Sequence, residues 1–286
     1  MLVSIIIPVH KLHPFFKECI ASVLAQTHNN IEVLVVCNGE LKIEECKKYL
    51  NSSDNRLLFF KSIEGRHNAR NRGFEEAKGA YIQFLDYDDI LYATKIEKQL
   101  HQFSFNANCT ICICKWKKFH KNISEYYILP FEGIFNETIL NSQKLYEMLG
   151  TFGGFIATAS WLIDASSIGN IKWMDVPNDD AVFLSELLVQ QPSILMLPEV
   201  LAGYRIHSQN ESARRTKEEF DKLLEGWKVI EKNVKIFENN YTLQYLLNAH
   251  IYLFSYSRQI KNYKLVKVVS NILRLFIKRN ILNLTN

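Results

Sequence analysis

An alternation of short, β-branched apolar runs with helix-patterned segments over residues 3–89 constrains this chain more than any other feature. Val3–Val9 is too short to cross a membrane and rich enough in isoleucine and valine to read as a parallel strand buried on both faces. His13–Thr27 follows as a helix with Phe16, Ile20, Val23 and Leu24 on one face. Ile31–Val36 then reads as a strand, Ile43–Leu50 as a helix, Leu57–Phe60 as a strand, Asn68–Ala77 as a helix and Ala80–Leu85 as a strand. Repeats of this kind predict an α/β fold built on a doubly wound, mainly parallel sheet. Ligands of such sheets lie beyond the carboxyl ends of the strands. Those ends here carry Pro8 and Val9, Asn38-Gly39, and the acidic turn Asp86–Asp89.

Asp86, Asp88 and Asp89 follow directly on the strand, and carboxylates so close repel one another unless a cation lies among them. Hard oxygen ligands suit Mg²⁺ or Mn²⁺, ions that keep coordination positions for water and substrate phosphates. The alternative is a strand-to-helix turn in which Asp89 caps a helix Ile90–Phe103 and the other acids face water. Before the fourth strand, the segment Glu64–Gly73 places Arg66, Arg70 and Arg72 at a helix start. Guanidinium groups and free backbone N–H groups there suit a nucleotide or diphosphate, with Arg66 or Arg70 as the candidate and Arg72 on the solvated face. Further on, Gly153-Gly154-Phe155 reads as a turn and Ile156–Ile163 as a strand. Asn178-Asp179-Asp180 opens an apolar helix Ala181–Leu188, where capping accounts for at least one of the acids.

Taken together, the strand Val3–Val9, the helix carrying Ser22–Thr27, the strand Ile31–Val36, the run Asn68–Gly73, the stretch Ala77–Ile82 and the acidic Phe84–Asp89 resemble the family 2 inverting glycosyltransferases of GT-A fold. The resemblance implies a nucleotide-sugar donor, most simply a UDP-sugar, a divalent Mn²⁺ or Mg²⁺ ion, and transfer to a glycan or lipid-linked acceptor in surface polysaccharide or lipopolysaccharide synthesis. It gives Asp86 to the ribose or the metal and Asp88 to the metal. Asp180 becomes the general base, Asp179 the substitute for a preceding glutamate, and His207, beside Arg205 in Tyr204–Ser208, a contact to metal or diphosphate. One position departs from the pattern: where relatives end the second strand in two acids, this chain has Cys37-Asn38-Gly39-Glu40. An Asn carbonyl can accept the uracil imide N–H without charge; the alternative for Asn38-Gly39 is a plain turn. A binding-only relative and a sugar nucleotidyltransferase are the competing classes, and Val9-His10-Lys11-Leu12-His13 lacks the glycine-rich loop that the second requires.

With 286 residues, 48% of them hydrophobic, the chain can bury a large core. Expected boundaries are a catalytic domain over 1–212, with a nucleotide-sugar half at 1–105 and an acceptor half at 106–212, and a helical extension at 213–286. Neither a signal peptide nor a membrane span is expected. The six cysteines form no four-ligand zinc pattern, so reduced buried thiols and a cytoplasmic location follow. Residues 239–286 contain seven Lys or Arg and no acid, against +4 for the whole chain. Within Tyr263–Arg279 these cations recur at helical spacing beside an apolar surface, which suits an anionic membrane or packing against the catalytic domain or a second copy. No nucleic-acid motif accompanies them. Lys115–Thr151, expected to line the acceptor side, carries no readable motif.

Overall fold

The computed structural model describes residues 1–106, 109–121, 132–135, 137–207, 216–261 and 264–285. Ser208, Tyr263 and the expected boundary at 212/213 lie outside the described residues, as does part of Lys115–Thr151.

β1 (Val3–Val9), β2 (Ile31–Cys37), β3 (Leu57–Lys61) and β4 (Tyr81–Phe84) run parallel, with β1 central between β2 and β4. Both β1 and β2 are buried along their whole length, as their unbroken apolar runs require. Helices α1 (Pro14–Leu24), α2 (Ile43–Leu50) and α3 (Arg66–Glu76) make the crossovers. α3 approaches the sheet so closely that a Cβ on Gly73 would lie 2.4 Å from Cγ2 of Ile6, which holds the arginine-bearing helix against the strand ends.

Two expected elements differ. The segment after Asp89 is not a helix at first: β5 (Ile90–Leu91) pairs antiparallel with Gly203 and Ala202, and α4 (Lys95–Phe105) starts only after Thr94. Asp89 therefore caps no helix. Strand pairing with the later chain overrides the local turn signal. Likewise, Ile156–Ile163 does not form one strand; a 3-10 turn at Thr158–Ser160 precedes β8 (Trp161–Asp164).

The sheet continues with β6 (Cys109–Phe119), β7 (Ile139–Leu140) and β9 (Ser193–Arg205), giving nine strands among the described residues in the order β3-β2-β1-β4-β8-β6-β9-β5 with β7 on β9. β8 is antiparallel to both β4 and β6, so the sheet is mixed at its second half. Between them run α5 (Ser142–Phe152), the short α6 (Ala165–Ile168) and α7 (Asp179–Val189). All six cysteines are reduced and buried. Under the site, Trp173 stacks on Phe183 at 4.4 Å and Phe84 meets both rings edge-on, forming a rigid aromatic floor.

Three helices complete the chain: α8 (Lys217–Val234), α9 (Asn240–Gln259) and α10 (Leu265–Thr285). α10 lies on α8 and α9 through Val268, Ile272 and Leu275, and Lys264 pairs with Asp221 at 2.6 Å. Arg274 and Lys278 pair with Glu231 and Glu238 of the preceding chain. Several cations of the basic tail are thus matched within the fold. No helix among the described residues is long and apolar enough to cross a membrane.

Candidate active site

The ends of β1, β2 and β4 converge on one cleft of about 150 Å³, lined by Pro8 and His10 at the end of β1, Asn38 after β2, Arg66 and Arg70 of α3, Asp86–Asp89 after β4, and Asp179 and Asp180 of α7. Asn38 is buried, and its backbone N–H donates to Val9 at 2.8 Å, so the turn seats its side chain beside Pro8. Val9 itself is wholly buried in the core, and its contribution is this backbone carbonyl.

Arg70 organises the cleft. Its guanidinium is 1% exposed, lies 4.2 Å over the Trp173 ring, and donates to Asp86 Oδ1 at 2.5 Å and Asp179 Oδ2 at 2.6 Å. Arg66 donates through Nε to the same Asp179 oxygen at 2.9 Å and through Nη2 to the Pro177 carbonyl at 2.8 Å. Arg66 or Arg70 was the expected diphosphate contact; both line the cleft, and Arg70 also joins Asp86 to the start of α7. A buried guanidinium fork shared by two carboxylates sets their separation and orientation. Arg72 is on the solvated face and pairs with Glu76, as expected.

Asp88 accepts from His207 Nε2 at 2.8 Å, both side chains being largely buried. Phe15 packs against that imidazole at 5.1 Å. Arg205 does not face the cleft: its guanidinium is sandwiched between Phe15 and Phe119, donating from Nε to the Asp88 carbonyl at 2.8 Å and from Nη2 to Glu18 at 2.6 Å. Its backbone N–H donates to Asp89 Oδ1 at 2.9 Å. Asp89 and Arg205 together hold the acidic turn from beneath, and burial with the adjacent Asp88 and Asp86 pushes the Asp89 carboxyl well above the usual range.

Asp180 differs from its neighbour. Asp179 is committed to two arginines, whereas Asp180 accepts from the following backbone N–H, that of Ala181, at 2.7 Å. Burial, then the charge of Asp179, push its carboxyl up to about 6. A carboxylate so tuned is mostly charged at neutrality yet more basic than an ordinary one, so it can accept a proton.

Asp86, Asp88 and His207 offer two carboxylates and an imidazole, a donor set that suits a hard divalent ion. Only Asp88 and His207 meet directly, one Asp86 oxygen being held by Arg70, and no cluster of three such ligands is preformed among the described residues. The residues therefore fit an ion whose remaining positions come from a substrate.

At Asp180 the cleft opens into a groove of about 1070 Å³ between α7 and the C-terminal helices; Arg66, Phe155, Pro177, Asp179, Asp180 and Tyr204 belong to both. Sequence reasoning missed Tyr87, Phe155 and Thr158 in the cleft and Tyr245 in the groove. The Gly153-Gly154 turn preceding Phe155, with both glycines at positive φ, was the available signal for that loop.

A mixed, mainly parallel sheet with an acidic turn and two joined clefts at its carboxyl end is the architecture of the GT-A glycosyltransferases. The glycosyl transferase family 2 model matches residues 4–163, and the chain belongs to that family. An uncharacterised glycosyltransferase of Rickettsia typhi is 29% identical over 279 residues, 94% of this chain and 85% of the relative. A longer one from Rickettsia bellii is 31% identical over 219 residues, 74% of this chain and 31% of its own length. WfaP of Escherichia coli, a UDP-Glc:alpha-D-GlcNAc-diphosphoundecaprenol beta-1,3-glucosyltransferase, is 26% identical over 76% of this chain and 82% of its own. Among solved structures, residues 1–349 of S. aureus TarS, in complex with UDP-GlcNAc, superpose with a TM-score of 0.74 at 14% identity, covering 96% of this chain and 81% of that one.

Proposed function

We propose that this glycosyltransferase moves a sugar from a UDP-sugar to a hydroxyl of a saccharide or lipid-linked saccharide acceptor, with inversion at the anomeric carbon. The observation that carries this reading is Asp180: one carboxylate, raised to about 6, at the junction of the two clefts. An inverting displacement needs one such base and no covalent intermediate. Asp180 takes the acceptor proton as the oxygen attacks from the groove side, and Asp179, fixed by Arg66 and Arg70, keeps the start of α7 in place. Asn38 and Pro8 receive the base of the nucleotide, and Asp86 reaches the ribose or shares in ion binding. Asp88 and His207, with Asp86, would hold Mn²⁺ or Mg²⁺, which when bound neutralises charge on the departing diphosphate. The named activity of WfaP supports a UDP donor and a diphospholipid-linked acceptor, and an enzyme working on such an acceptor would act at a membrane surface in glycan assembly.

The test is direct. With UDP-glucose and UDP-GlcNAc as donors, calorimetry in Mn²⁺ and in EDTA is expected to show metal-dependent binding that Asp88→Ala removes; equal affinity in all three conditions overturns the metal assignment. NMR of the glycoside product should show the anomer opposite to the donor, and retention would dismiss Asp180 as sole base.

A further inference from the structure

The C-terminal helices supply one wall of the groove beyond Asp180. Trp227 of α8 and Tyr245, Tyr252 and Tyr256 of α9 line it, facing Tyr146, Phe155 and Tyr204 of the catalytic half. Tyr245, Tyr252 and Tyr256 recur at i, i+7 and i+11, one face of a helix, and span about 16 Å at 1.5 Å per residue. Tyr245 lies close enough to the base for the Asp180 charge, after burial, to raise its hydroxyl. Its ring is 5.8 Å from Trp227 and 5.5 Å from Tyr146, so the aromatic surface is continuous with the reacting centre.

We infer that this groove binds several consecutive sugar rings of the acceptor, with the α9 tyrosines and Trp227 as stacking platforms. The inference rests on Asp180 being the base and names the acceptor class for that site. Aromatic faces pack against the C–H faces of pyranose rings, while the ring hydroxyls need polar partners at the edges. Both are present, since Lys118, Asp175, Glu219 and Lys222 line the groove together with the rings. A polyprenyl chain would cover these charged side chains without offering them a hydrogen bond, at a cost, whereas a hydroxyl-rich ligand supplies donors and acceptors. A lipid tail is therefore disfavoured in the groove, and the saccharide portion of the acceptor is its occupant.

Tyr252 is 57% exposed at the far end, so Tyr252→Ala removes a platform with little risk to folding. Binding of an array of oligosaccharides of one to four rings, and of farnesyl phosphate, would be measured by saturation-transfer NMR on the full chain, with UDP affinity as the control for folding. Affinity is expected to rise with ring number, and Tyr252→Ala to weaken the longest binders about tenfold while leaving single rings and UDP unchanged. Binding of farnesyl phosphate in place of saccharides, no saccharide binding at all, or ring-number dependence indifferent to Tyr252 would overturn the inference. Asp180→Asn separates it from the catalytic assignment: that variant should bind the same oligosaccharides normally, so unimpaired transfer by it would refute the base while leaving the groove standing.

Discussion

Asp180 and Asp179 are neighbours in sequence with opposite electrostatic situations. Asp179 meets two guanidiniums, whereas burial and Asp179 itself raise Asp180 to about 6. Asp180→Asn keeps the size and the hydrogen-bonding reach but cannot take a proton; transfer should fall roughly 10²-fold or more while UDP affinity persists. Transfer by the wild type should climb about tenfold per pH unit below 6 and level off above it, as the base becomes deprotonated. The linkage has the opposite sense for stability. A carboxyl whose folded pKa is raised above the unfolded value of 3.8 costs stability as pH rises from about 4 to 6, and the cost stays above that. Asp180→Asn should therefore raise the urea midpoint at pH 7.5 and lose that advantage at pH 4. Asp179→Asn should do the reverse, lowering stability by freeing buried Arg70, with a smaller direct effect on proton transfer. A variant pair with exchanged severities would move the base to Asp179. This acid pair was legible in sequence because both members sit in one local helix start. Arg70 was not legible in its actual role, because its partner Asp179 lies 109 residues away and only the fold brings them together.

At the scale of elements, the four parallel strands and their crossovers were readable because burial on both faces leaves an unbroken apolar run. Asp89 was misread because β5 depends on β9, strands joined by non-local pairing that no local signal encodes. The same holds for α8, whose close approach to α7 shows only in three dimensions: a Cβ on Gly226 would lie 2.2 Å from Oδ1 of Asn178, the residue before the acid pair. Gly226→Ala should cost about 1–3 kcal/mol and reduce transfer by displacing the start of α7. Adding Asn178→Ala should restore much of the stability, and additive losses in that double-mutant cycle would deny the contact. α4 carries another buried group, Lys95, which donates to Gln83 and, at 2.6 Å, to the Trp161 carbonyl, tying α4 to β4 and β8. Burial lowers its amine to about 8. Because the unfolded chain keeps that proton to about pH 10.4, Lys95 makes stability rise as pH increases from 8 toward 10. Denaturant titrations should show this rise in the wild type and a flatter profile in Lys95→Met.

On the scale of the whole molecule, the basic tail divides its surface between a packed face and an outward one. Val268 and Leu275 are buried, and Lys264, Arg274 and Lys278 answer acids of the preceding chain, so removing residues 263–286 would expose the cores of α8 and α9 instead of merely detaching an appendage. Val266, Leu273, Phe276, Ile277 and Ile281 nevertheless point outward, each more than half exposed. The charge pattern alone suited either attraction to an anionic membrane or packing against protein; with Lys264, Arg274 and Lys278 paired, the outward residues are chiefly apolar, and contact with lipid would depend on insertion of side chains. For an enzyme whose acceptor saccharide is tethered to a lipid, such a face would hold the groove near the bilayer while the sheet keeps the donor cleft in water. Leu273→Ser combined with Phe276→Ser and Ile277→Ser should preserve the thermal midpoint and turnover of a water-soluble oligosaccharide acceptor. Flotation with phosphatidylglycerol vesicles should fall several-fold in this variant, and wild-type binding should weaken only modestly between 0.1 and 0.5 M salt, since apolar insertion is not screened as ion pairing is. Steep salt sensitivity would return the contact to the lysines and arginines, and vesicle binding unchanged by the triple substitution would remove α10 from the membrane altogether.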